Sequence, residues 1–211
     1  MKRVIIFDMD GVLFDSVSIS TKATLNQYPD MTIEMHKELL CGNFHEELKK
    51  INLPRKVQTE KEKTEGKILY SKIKSEIPMY CGAKNLLKEL YKKGYILVLN
   101  TSAYNRNSLP LLERSGIISL FDFVATAEIS KSKIDKFKII EERYGITKKD
   151  VLFITDTLGD IREADIAHIP TVAVTWGAHN EDYFNREPHK NLLKILKTFD
   201  ELGDFIEVYL G

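Results

Sequence analysis

Short runs of apolar residues alternate along this chain with longer amphipathic stretches, the arrangement of a parallel sheet covered by helices. Five runs predict strands: Val4 to Phe7, Tyr95 to Leu99, Phe123 to Ala127, Val151 to Ile154 and Thr171 to Val174. They are apolar rather than alternating, as strands buried on both faces are. Helical spacing predicts helices near Ala83 to Lys93, Asn107 to Ser115, Lys133 to Tyr144 and Asp160 to Ala167. A further amphipathic stretch, Asn191 to Tyr209, breaks near Phe199-Asp200 and is expected to pack at the C-terminal end. The predicted class is α/β, with a Rossmann-like parallel sheet core.

One connection is out of proportion. Residues 16–80 contain no strand pattern, only helical segments near Ser18 to Gln27, Thr32 to Leu40, Glu46 to Ile51 and Glu60 to Ile77, punctuated by Pro29, Gly42 and Pro54. Ordinary βα loops run to about 2–6 residues. The stretch therefore reads as a separate helical body (16–80) inserted into a core made of 1–15 and 81–211.

Composition narrows the function. The 211 residues carry 31 Lys+Arg and 31 Asp+Glu, a formal charge of zero, which argues against a nucleic-acid or anionic-membrane binder. Two cysteines, Cys41 and Cys81, are too few for a disulfide framework and form no CxxC pair, so a reduced cytoplasmic protein is expected. Met1-Lys2-Arg3 and the following apolar run imitate the start of a signal peptide, but Asp8 ends that run after four residues. No segment approaches the roughly 18 apolar residues of a membrane span.

In parallel α/β sheets, ligands bind at the carboxyl ends of the strands. Asp8 and Asp10 follow the first run, Thr101 and Ser102 the second, Lys131 and Lys133 the third, and Asp156 and Asp160 the fourth. Asp8 and Asp10, two apart in an extended chain, can face one site. Acids brought together there call for a hard cation, Mg²⁺ above all. Acids, a hydroxyl and an ammonium are the parts of phosphoryl transfer. No Walker loop or dinucleotide fingerprint is present.

These residues resemble the haloacid dehalogenase superfamily. Phe7 to Ser16, reading FDMDGVLFDS, is similar to the first motif, DxDGxLxDS; Thr101 lies where the second motif places Ser or Thr; Asp156 to Asp160 resembles the fourth, DxxxD. The match runs from Val4 to about Gly177, with the insertion in the place of a type 1 cap. The resemblance implies that Asp8 is the nucleophile and Asp10 the acid/base. It also implies that Asp8, the Asp10 carbonyl and Asp156 hold Mg²⁺, with Asp160 as a ligand or supporting acceptor. Thr101 would bond the phosphoryl group, and Gly11 would begin the flap on which the cap moves.

The third motif usually reads KPxPDxF, and here Lys131 to Phe137 reads KSKIDKF. Laid on that pattern, Lys131 takes the lysine place, with Lys133 as the alternative. Ser132 and Asp135 suggest a capping box. Ser102 is a second hydroxyl beside Thr101. The turn Leu40 to His45 resembles the cap turn that reaches the phosphoryl site, which makes Asn43 and His45 candidate substrate contacts.

The resemblance implies a Mg²⁺-dependent phosphatase for a small phosphorylated metabolite, similar to phosphoglycolate phosphatases, acting as monomer or homodimer without nucleic-acid or membrane partners. A phosphomutase of the same superfamily would use the same groups, and a non-catalytic, receiver-like phospho-aspartate protein is the alternative of another class. A dehalogenase would leave the extra acids unexplained. Lys49 to Lys74 holds nine Lys/Arg against three Asp/Glu, which reads as a solvated face or as a field for an anionic substrate. The histidines, without metal-ligand spacing, read as surface or capping residues, and Trp176 as packing.

Overall fold

The computed structural model describes residues 3–211; Met1 and Lys2, which belong to the basic start weighed above as a leader, lie outside the described residues. A six-stranded parallel sheet has the order β3-β2-β1-β4-β5-β6. The strands are β1 (Val4–Phe7), β2 (Ile96–Asn100), β3 (Phe121–Ala125), β4 (Val151–Thr155), β5 (Thr171–Val174) and β6 (Leu192–Leu196). Helices α1 (Val17–Gln27), α2 (Ile33–Leu39), α3 (Phe44–Lys50) and α4 (Glu60–Ser75) all fall between β1 and α5 (Ala83–Lys92). The remaining helices are α6 (Asn105–Arg114), α7 (Lys133–Tyr144), α8 (Leu158–Ala167), α9 (Glu181–Phe184) and α10 (Phe199–Leu210).

β1 lies between β2 and β4, so its residues are apolar on both faces. Ile5 and Phe7 pack with Leu87 of α5, Leu99 of β2 and Ile206 of α10. Val4 and Ile6 pack on the opposite layer, with Phe137 and Ile140 of α7 and Ala164 of α8. Strand order reverses at β1 and β4, which opens a crevice beyond their carboxyl ends. Asp8 and Asp156 stand one residue past those two strands.

Three readings are corrected. The stretch read as one amphipathic segment from Asn191 is a strand, β6, followed by α10, whose first turn Thr198 caps by accepting from the Glu201 N–H at 3.1 Å. Leu192 to Leu196 is a five-residue run at the sheet edge, where partly exposed positions blur the signature of a buried strand. Ser132 and Asp135 do not form a capping box. The Ser132 side chain makes no cap bond, and the Lys133 N–H donates instead to Glu163 Oε1 at 2.9 Å. Finally, His36 and His179 are buried rather than superficial. His168 does end α8, in the left-handed region at φ 59°, and Trp176 packs on Phe199, with ring centroids 4.5 Å apart.

Candidate active site

Asp8 is buried at the head of β1, and its Oδ1 accepts from Lys133 Nζ at 2.6 Å. The same ammonium donates to Asp160 Oδ2, also at 2.6 Å, and that oxygen accepts from Thr155 Oγ1 at 2.6 Å. Burial pushes Asp8 up to about 6 against the pull of Lys133, with Asp160 and Asp10 adding to the rise. Burial alone would lower Lys133, but Asp160 and Asp8 together raise it.

The preference for Lys131 is thereby corrected. Lys131 is exposed, and its carbonyl accepts from Asn43 Nδ2 at 3.0 Å. Lys133 begins α7 on the buried stripe that continues through Phe137 and Ile140, at offsets of four and seven residues. Lys131 precedes the helix and lies off that stripe.

Asp156 is enclosed by backbone. The Ala178 N–H donates to its Oδ2 at 2.7 Å, while its Oδ1 is buried without a partner. A Cβ on Gly11 would stand 1.9 Å from Oδ2 and one on Gly177 2.2 Å from it, so only glycines admit the carboxylate there. Gly11 also has φ +77°, in the region that favours glycine. Burial first and Asp8 second raise Asp156 well above the usual carboxylate range. Among the described residues, no three His, Cys, Asp or Glu side chains are gathered to hold a metal by themselves. The donors still fit a hard cation: an orphaned carboxylate oxygen, a second carboxylate beside it and charge repulsion that a cation would relieve.

Asp10 is half-buried. Ser16 Oγ donates to its Oδ1 at 2.5 Å and Lys74 Nζ to its Oδ2 at 2.7 Å. Thr101 is buried at the end of β2, where its Oγ1 accepts from the Ala103 N–H at 3.0 Å. Its carbonyl accepts from the buried Lys136 Nζ at 2.7 Å. Burial, then the charge of Lys133, lowers Lys136 to about 8.

A cavity of about 1240 Å³ joins Asp8, Asp10, Thr101, Ser102, Lys133 and Asp156 to the inner faces of α1 and α4. His45 lines it with Nε2 buried and unpartnered, and burial lowers its pKa. Asn43 also lines it, but its amide is spent on structure: Oδ1 accepts from the Glu46 N–H at 3.4 Å and Nδ2 donates to Lys131 O and, at 3.3 Å, to Glu163. The basic stretch divides. Lys49 and Lys50 pair with Glu46 and Glu47 on the surface, while Arg55, Lys63, Lys67 and Lys74 line the cavity.

Residues 37–43 are clipped to the core at several points. The Gly159 N–H donates to Leu40 O at 2.9 Å, and Arg162 donates to Cys41 O at 2.5 Å. His179 Nδ1 accepts from the Leu158 N–H at 2.9 Å, which makes Nε2 the donor to Lys37 O at 3.0 Å. Burial holds His179 down at about 4, so this neutral form persists. A Cβ on Gly159 would stand 2.3 Å from Gly42 O. Sequence reasoning passed over Lys74, Lys136, Glu163 and His179; of these only Glu163 carried a signal, three residues after Asp160 on one face of α8.

A family profile described as haloacid dehalogenase-like hydrolase matches residues 5–174, most of the chain. The chain belongs to the haloacid dehalogenase-like hydrolases. It is an enzyme of the hydrolase class and aligns nearly end to end with phosphatases of that family. A probable phosphatase, IndB, of Dickeya dadantii is 26% identical over 96% of this chain and 92% of its own length. A phosphoglycolate phosphatase of Vibrio cholerae is 24% identical over 99% and 97% respectively. CbbY of Rhodobacter sphaeroides, a mutant crystallised with xylulose-(1,5)bisphosphate, shares the fold with TM-score 0.74 at 19% identity, covering 96% of this chain and 97% of that one. Within the matched span, Asp8 and Asp10 follow the end of β1, Asp156 follows that of β4, and Lys133 is the lysine that reaches Asp8.

Proposed function

We propose that this protein is a Mg²⁺-dependent phosphatase that hydrolyses a small phosphorylated metabolite through an aspartyl-phosphate on Asp8. One observation carries the reading: a buried Asp8, held by Lys133, beside a buried Asp156 whose Oδ1 has no partner. Asp8, the Asp10 carbonyl and Asp156 would hold the ion, which when bound neutralises charge on the phosphoryl oxygens.

Lys133 bonds Asp8 Oδ1 and so orients Oδ2 for attack on phosphorus. As the Oδ2–P bond forms, the ester O–P bond breaks and Asp10 supplies the proton to the leaving oxygen. Asp10 then takes a proton from water, whose oxygen bonds phosphorus as Asp8 is released. Thr101 and Ser102, at the cavity wall, donate to the phosphoryl oxygens. Helices α1–α4 act as the cap, excluding water from the reacting centre, and His45, which lines the cavity, is the cap residue that touches substrate in this reading. The free cysteines Cys41 and Cys81 suit a reducing, cytoplasmic setting. Among the described residues no helix is long and apolar enough to cross a membrane.

A screen of phosphorylated metabolites with Mg²⁺, read as phosphate release, tests this. Activity should vanish with EDTA and fall at least about a thousandfold in Asp8→Asn. Full activity of that variant on p-nitrophenyl phosphate would sink the reading. Analysis of the carbon product separates hydrolysis from the mutase alternative.

A further inference from the structure

We infer that Lys74, at the end of the fourth helix, is a positioning residue for Asp10, holding its carboxylate ready for hydrolysis of the phosphoenzyme. The inference rests on the phosphatase reading above. It starts from an anomaly in α4. Lys61, Lys63, Lys67 and Lys72 of that helix are exposed, as a helix surface requires, whereas Lys74 is 3% exposed. Burying an ammonium is costly unless it is paired, and the Lys74 ammonium lies 2.7 Å from Asp10 Oδ2. Burial by itself would lower its pKa; Asp10, with Tyr70 and Asp8 behind it, raises it instead.

Asp10 is thus gripped at both oxygens. Ser16, which precedes α1, takes Oδ1, and Lys74, in the last turn of α4, takes Oδ2. Those two residues sit where the chain enters and leaves the helical insertion. The rotamer of Asp10 is therefore set by both crossings together, and any displacement of α4 relative to β1 withdraws one of its two donors. A lysine whose task was to bind a distal group of the substrate would not need to be buried against Asp10.

Stopped-flow turnover of p-nitrophenyl phosphate with Mg²⁺ tests this, because p-nitrophenolate leaves without a proton and the first step is insensitive to Asp10. In Lys74→Met, the burst of p-nitrophenolate should keep a rate constant within about threefold of wild type. The steady rate, limited by hydrolysis of the phosphoenzyme, should fall about tenfold or more, part of the 10²–10⁴ that a placed acid/base contributes. Lys74→Arg, which keeps a charged donor, should recover most of it. The burst amplitude counts folded sites, so a folding defect lowers amplitude without changing the ratio of the two rates.

Equal losses in both rates, a raised KM with the ratio unchanged, or a steady rate within twofold of wild type would overturn the inference. Asp10→Asn serves as the reference. If it separates the two steps and Lys74→Met does not, only the role of Lys74 falls. If wild type shows no turnover at all, the phosphatase reading falls and takes the role of Lys74 with it.

Discussion

Replacing Asp8 by Asn should abolish activity while stabilising the metal-free protein. Burial lifts Asp8 from the ordinary 3.8 to about 6, so its native form binds a proton more tightly than its unfolded form. Stability therefore falls as pH rises from about 4 to about 6, and the penalty is complete above that window. A difference of this size corresponds to about 3 kcal/mol, at roughly 1.4 kcal/mol per tenfold in proton affinity. Asn keeps an oxygen for Lys133 without the charge, yet weakens the pair at Oδ1, so about 1–3 kcal/mol should remain. For a chain of this size that is roughly 3–10 °C in Tm. Differential scanning calorimetry in EDTA from pH 3.5 to 8 measures it. The gap between variant and wild type should be near zero at pH 4 and full by pH 7, and added Mg²⁺ should stabilise wild type more than the variant. A variant no more stable than wild type at pH 7 without metal, or a gap that does not narrow at pH 4, would refute the argument.

Other outcomes follow from single contacts. Lys133→Met strips Asp8 and Asp160 of their shared cation and should lower kcat/KM by about 100-fold or more, whereas exposed Lys131→Ala should stay within about threefold in the same assay. Gly159→Ala pushes a methyl group against Gly42 O and should open residues 37–43, read as faster proteolysis there and a raised KM. Lys136 is lowered to about 8, so its buried charge costs stability below that pH and the cost is relieved as pH rises toward 10.5. The stability of wild type relative to Lys136→Met should accordingly grow by about 3 kcal/mol between pH 7 and 10.5 in urea titrations, and a flat difference would contradict it.

The core was legible in the sequence because its strands are buried on both faces. Val4 to Phe7 and Val151 to Ile154 are apolar without alternation, and the acids soon after them stand out for that reason. Edge strand β6 was not legible, since a partly exposed five-residue run beside a capped helix has no period of its own. The first and fourth motifs were readable as a resemblance, and the pairing of β1 with β4 in the sheet brings Asp8 near Asp156.

The choice between Lys131 and Lys133 depended on where α7 begins and how it is rotated, which the Glu163 carboxylate, from another helix, and the packing of Phe137 on Phe153 decide. The partners of Asp10 are the clearest case of what sequence leaves out. Ser16 lies six residues away and could be guessed from the turn; Lys74 lies 64 away in a run of lysines, alike in type to its exposed neighbours. Local sequence determined which core segments, β6 apart, would be strands, and that acids would follow two of them. Only the packing of the inserted helices against the core decided which lysine is desolvated, because desolvation is a property of everything that surrounds a side chain and not of the residues beside it.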